Sequence, residues 1–99
     1  MIDQGLGPEE SSEERLEVGR VVTTSAVARS LSPFEIFELV GRHVRGDWGT
    51  LGEEDMQANR VAIREGERVL SRYRTCVQDV YVITEYDRSV TTVLFVDEY

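Results

Sequence analysis

Residues 43–50 read HVRGDWGT, and the placement of this stretch decides the fold. It holds the only His and the only Trp of the chain, together with two Gly and one Asp. Helical patterns flank it on both sides, so it reads as an ordered corner between two helices. Upstream, Ser32-Pro33-Phe34-Glu35 is a helix start: Ser32 caps, Pro33 suits the first turn and Glu35 completes a capping box. Ile36, Phe37, Val40 and Val44 then recur at helical spacing, which predicts a helix to about Arg45 that stops at Gly46. Downstream, Thr50-Leu51-Gly52-Glu53 repeats the Thr-x-x-Glu capping pattern, with Thr50 as the cap. Glu53, Glu54 and Asp55 follow in the first turn, where they complement the helix dipole.

This second helix is predicted to end at Glu65, before Gly66. Met56, Ala62 and Ile63 mark its apolar side, and Asn59 projects from the middle of that side. A buried Asn needs hydrogen-bond partners, and the 46–49 corner is the nearest candidate. Beyond Glu67 the period changes to two. Arg68–Thr75 alternates weakly, while VYVITE (80–85) and VTTVLFV (90–96) are clear strand patterns joined by a turn at Asp87-Arg88-Ser89. At the other end, LEVGRVVTT (16–24) reads as a first strand and SAVARSL (25–31) as a short helical turn. The expected fold is α+β, with two or three N-terminal helices on one face of a three- to four-stranded antiparallel sheet whose C-terminal part is a meander. The first strand is placed at the outside, beside the last.

With 99 residues the chain is one domain, expected over residues 16–99, and a chain this short builds only a marginal core. Residues 1–15 read as a disordered acidic leader, with Gly5, Gly7, Pro8, Ser11, Ser12 and four Glu but no apolar period. The net charge is -8, and residues 1–17 carry -5 of it, so the remainder holds only -3. That balance argues against direct nucleic-acid binding, which needs a basic face with stacking aromatics. All eleven basic residues are Arg. The single cysteine, Cys76, excludes an internal disulfide and suits a reducing cytoplasm. Nothing approaches the apolar run of roughly 18 residues that a membrane span needs, and no secretory signal opens the chain.

Several polar positions form an ordered set: His43-x-x-Gly46-Asp47-Trp48-Gly49, Glu54-Asp55, Asn59, Gly66-x-Arg68, Ser71-x-Tyr73, Ile83-Thr84-Glu85-x-Asp87-Arg88-Ser89-x-Thr91-Thr92 and Glu98-Tyr99. Over residues 36–99 the set resembles a family of small bacterial proteins of plasmids and other mobile elements. These are labelled "plasmid-related protein" or named by association as a type I restriction subunit. The chain departs from that pattern at Thr75-Cys76-Val77-Gln78, where a Pro-Asp-Gly-like turn is usual, and at Val96, where a Pro is usual. The resemblance implies a genomic setting and no activity.

The chemistry open to these residues is limited. His43 with Asp47 can be read as a base pair for proton transfer, or His43 as a hydrogen-bonded histidine at a helix end. Trp48 reads as a cap on the core with its N–H bonded to a carbonyl. One His and one Cys among scattered acids lack zinc-ligand spacing, and Gly46, Gly49 and Gly52 do not make a phosphate loop, so no metal or cofactor is implied. Arg68, Tyr73, Glu85, Asp87, Arg88, Thr91 and Thr92 can line a cleft. His43, Glu85 and Arg88 supply the residue types of a small nuclease-like toxin; the bland alternative pairs Asp87 with Arg88 inside a tight turn.

Three functions are therefore expected as alternatives. The first is a non-enzymatic inhibitor from a mobile element, plasmid or phage. It would bind a host defence complex of the CRISPR or restriction kind, and occlude a basic nucleic-acid-binding surface. Glu53, Glu54, Asp55, Asp47, Trp48, Glu85 and Asp87 are its candidate contact residues. The second is the nuclease-like toxin. The third is a structural protein, with a homodimer among its forms.

Overall fold

The computed structural model describes residues 16–99, so the acidic leader lies outside the described residues. Strand β1 (Arg20–Thr23) is followed by helices α1 (Ser25–Ser30), α2 (Pro33–Val44) and α3 (Glu53–Glu65). Strands β2 (Val69–Tyr73), β3 (Val80–Thr84) and β4 (Val90–Phe95) come next, and a short 3₁₀ turn (Val96–Glu98) closes the described chain. The result is an α+β arrangement with the helices N-terminal to the meander.

The local rules account for most of the helix ends. Ser32 accepts from the Glu35 amide while the Glu35 carboxylate accepts from the Ser32 amide, which is the expected capping box. Helix α2 closes in a Schellman motif: the Gly46 amide reaches the His43 carbonyl and the Asp47 amide reaches that of Arg42, with Gly46 at φ 88°. Gly66 ends α3 in the same left-handed conformation, at φ 76°. Thr50, however, does not cap α3. Gly52 occupies that position without a side-chain bond, and the Thr50 hydroxyl donates instead to the Arg72 carbonyl.

The sheet runs β1-β4-β3-β2. The first strand does sit at the outside beside the last, but it is shorter than the 16–24 expectation and runs parallel to β4, so the sheet is mixed. No hairpin joins β1 to β4, so nothing forces them antiparallel. Their starts lie together instead, with the Arg20 amide on the Ser89 carbonyl at 3.0 Å. Gly19 makes this approach possible, because a Cβ there would meet the Arg88 and Ser89 carbonyl oxygens at 2.4 Å.

Cross-strand register explains the core. Ser71↔Val82↔Val93 and Tyr73↔Val80↔Phe95 are aligned rows facing the helices. Val27, Leu31 and Leu39 pack against the apolar members of these rows, and Leu16, Ala62 and Val69 form a second cluster under α3. Helix α2 turns Leu39 and His43 inward, with Ile36 and Val40 at their side. Phe37, expected on the buried stripe, is instead 75% exposed. The spacing 36-39-40-43 is itself a helical face, and it wins because His43 finds polar partners inside.

Candidate functional site

The polar residues of the motif set converge, but they converge inside the fold. His43 has 0% exposure. Its Nδ1 lies 2.6 Å from Ser71 Oγ and its Nε2 lies 2.9 Å from Thr84 Oγ1. Thr84 Oγ1 is in turn 2.6 Å from Thr91 Oγ1, which donates to the Val18 carbonyl at 2.8 Å. That last acceptor orders the protons along the chain. A carbonyl only accepts, so the single Thr91 proton points at Val18, and Thr84 must donate to Thr91. Nε2 of His43 therefore donates to Thr84, and Nδ1 of the neutral ring accepts from Ser71. Burial favours this neutral form and pushes the His43 pKa down to about 4.

Strand geometry builds this network. Ser71, Thr84 and Thr91 lie on three neighbouring strands, with Thr84 paired to Thr91 and Ser71 beside Val82. All three are fully buried and point at α2, from which His43 descends. Every hydrogen-bonding atom named in the row has a partner, which is the condition for a polar group to be tolerated in a core. The expected His43–Asp47 pair is absent. Both ring nitrogens are occupied elsewhere, and Asp47 takes Arg42 in a two-point contact of 2.7 and 3.3 Å. The Arg42 hydrogen bond holds the Asp47 carboxyl below the usual carboxylate range, and the Gly49 amide helps.

The corner around Asp47 fastens α2 to the edge of β2. The Asp47 carbonyl accepts from the Tyr73 hydroxyl at 2.7 Å, and Arg42 lies 4.6 Å above the Tyr73 ring. Burial pushes the Tyr73 phenol up to about 12. The Arg72 amide donates to the Trp48 carbonyl at 3.2 Å, and the Thr50 amide donates to the Arg72 carbonyl at 2.8 Å. Residues 48–50 thus run as a short parallel addition to β2, bridged at Gly49. Glycine is required there: φ is 73°, and a Cβ would sit 1.9 Å from the Arg72 oxygen. Trp48 is buried as expected, but its Nε1 has no hydrogen-bond partner among the described residues, so the predicted carbonyl bond is absent.

Asn59 also differs from expectation. Rather than reaching the 46–49 corner, it reads one residue of β2 on both sides, accepting from the Leu70 amide at 3.0 Å and donating to the Leu70 carbonyl at 2.6 Å. Asp87 and Arg88 do not pair with each other. Asp87 Oδ1 accepts from the Ser89 amide and hydroxyl, which lowers its pKa. Arg88, at φ 62°, donates to the carbonyls of Glu67, Glu85 and Ala62, so it ties the end of α3 to the β3–β4 turn. Glu85 faces Arg68 at 3.6 Å. Of the three nuclease candidates, His43 is buried, Arg88 is occupied by backbone oxygens, and only Glu85 is partly open.

The remaining acids lie outside. Glu53, Glu54 and Asp55 are exposed on the first turn of α3, with Glu53 3.7 Å from Arg60. No cluster of three or more His, Cys, Asp or Glu side chains converges as a metal site among the described residues, and no described helix is long and apolar enough to cross a membrane. Two features were not anticipated. One is the pairing of His43 with Ser71 and Thr84, and of Thr84 with Thr91, residues whose alternation within strands places them on one face. The other is a groove of about 530 Å³ between β1 and α2, lined by apolar residues that include Val21, Leu31, Pro33, Ile36, Phe37 and Val40. Comparison with protein-family models, with curated proteins and with solved structures found no match to this chain.

Proposed function

We propose that this chain is a non-enzymatic protein-binding module that presents exposed carboxylates to a basic surface of its partner. The observation that carries this reading is the placement of the candidate reactive groups. His43 is sealed in the core, Arg88 is held by three carbonyls, and Asp47 is neutralised by Arg42. A nuclease needs a proton-transfer group within reach of its substrate, and a fully buried neutral imidazole does not offer one. The acids of the α3 first turn, by contrast, project into solvent. Glu54 and Asp55 have no ion-pair partner among the described residues. Carboxylates of this kind steer association with a basic patch and set its specificity.

In the mobile-element setting that the resemblance implies, the partner is a host defence complex. The consequence is occlusion of the surface that complex uses for nucleic acid. The test is expression of the full chain in a host challenged with a restricted plasmid or phage, with the wild type against Glu53→Gln/Glu54→Gln/Asp55→Asn. Protection by the wild type that is lost in the triple variant, with an unchanged melting temperature, supports the reading. Equal protection by both, or RNA cleavage by the purified chain, overturns it.

A further inference from the structure

We propose that the β1 edge and the apolar groove beside it are the interface at which two copies of this chain join, β1 against β1, antiparallel about a two-fold axis. This interface lies on a different face from the α3 carboxylates and does not depend on the partner reading. Three observations carry it. First, the inner side of β1 is engaged by β4, through the Arg20 amide to Ser89 and the Thr24 amide to Val93 at 3.1 Å. Alternate residues of a parallel strand bond to the same neighbour, so the N–H and C=O groups of Val21 and Thr23 face away from β4. The strand carries no lysine, proline or bulge, and its one charge, Arg20, stands at its end.

Second, the side chains around this edge are apolar and open. Val21 is 40% exposed and Phe37 75%, and both line the groove of about 530 Å³. Scattered exposed apolar residues are ordinary, but a contiguous apolar groove beside a strand edge left unpaired among the described residues is not. A four-residue strand alone falls short of the roughly 800 Å² per partner that stable interfaces bury. The flanking groove and Phe37 supply the additional area.

Third, the strand is complementary to itself. With Val22 opposite Val22 of the second copy, Val21 faces Thr23, and the outward groups of these residues form four N–H···O bonds. The same register sets Arg20 opposite Thr24 of the second copy. Thr24 donates to Glu98 at 2.8 Å, so each Arg20 meets a carboxylate of the other copy. No like charges oppose each other within the paired strands.

The test is sedimentation of the full chain over a wide concentration range, with three sets of variants. The wild type should give twice the chain mass. Phe37→Glu should give the monomer mass. Val21→Pro should do the same, because it removes only an outward N–H, the one place where a strand tolerates proline. Arg20→Glu should raise the dimer dissociation constant about tenfold. The register has its own readout: in a Cys76→Ser background, Val22→Cys should oxidise to a covalent dimer, since non-hydrogen-bonded antiparallel pairs lie at disulfide distance, and Arg20→Cys should not. A wild type that stays monomeric overturns the proposal and leaves the acidic-surface reading intact. A dimer that survives Phe37→Glu, or a covalent dimer from Arg20→Cys but not Val22→Cys, overturns it as well.

Discussion

Among the described residues the β2 edge of the sheet is closed and the β1 edge is open, and the two are built from opposite kinds of sequence. At β2 the chain uses its rarest residues. Asp47, Trp48, Gly49 and Thr50 fold back along Arg72 and satisfy its backbone. At β1 it uses RVVT, a run without a rare residue, and leaves the outer backbone groups of Val21 and Thr23 unpaired by β4. The residues that look most like an active site finish the structure, while the least conspicuous strand is left with something to bind. Rarity in a sequence marks constraint, and constraint here is mostly a matter of fitting one backbone against another.

The comparison breaks first at Gly49. Gly49→Ala places a Cβ against the Arg72 carbonyl in a left-handed backbone, and should cost about 3 kcal/mol, read as a shift in denaturation midpoint. A loss under about 0.5 kcal/mol, the range of neutral surface changes, would mean that the corner does not clamp β2. Next is the buried histidine. Its pKa is lowered in the folded chain from 6.5 to about 4, so its stabilising effect is complete above pH 6.5 and is lost as pH falls toward 4. At about 1.4 kcal/mol per unit, unfolding free energy should drop by about 3 kcal/mol across that window. His43→Gln, which keeps a donor and an acceptor, should flatten that slope. A slope unchanged by the substitution would assign it to other groups.

Asn59→Ala should cost about 2 kcal/mol, because it leaves the Leu70 amide and carbonyl without their partner. A smaller effect belongs to Arg42→Ala. Its pair with Asp47 is largely exposed, so the loss should stay near 1 kcal/mol or below and shrink with added salt. At the open edge the sign of the contrast reverses. Phe37→Ala should leave unfolding of the monomer within about 0.5 kcal/mol, as for other exposed positions.

Much of this architecture was legible in the residues. The Ser32–Glu35 capping box, Gly46 and Gly66 mark helix ends through local bonds, and local bonds leave local signatures. The period-two runs at 80–85 and 90–96 locate β3 and β4 for the same reason. What was not legible depends on contacts far apart in the chain. His43 bonds to residues 28 and 41 positions away, and nothing near His43 announces Ser71 or Thr84. Thr50 resembles a cap because the Thr-x-x-Glu spacing is right, yet its amide and hydroxyl both donate to the Arg72 carbonyl, which holds it along β2 while the helix begins later with Gly52 at the cap. Phe37 lies at a helical interval from Val40, but the inward pull of His43 rotates the helix away from it. The parallel direction of β1 is set by the approach of Gly19 to the β3–β4 turn, which no period reveals.

The most direct test of the claim that the motif histidine is structural is a ¹⁵N NMR titration of the His43 imidazole in the intact chain. The hydrogen-bond order from Val18 back through Thr91 and Thr84 predicts a neutral ring protonated at Nε2, with Nδ1 as acceptor and no titration until pH approaches about 4. A ring that exchanges between tautomers and titrates near the unperturbed 6.5 would contradict the account and return His43 to the list of reactive groups.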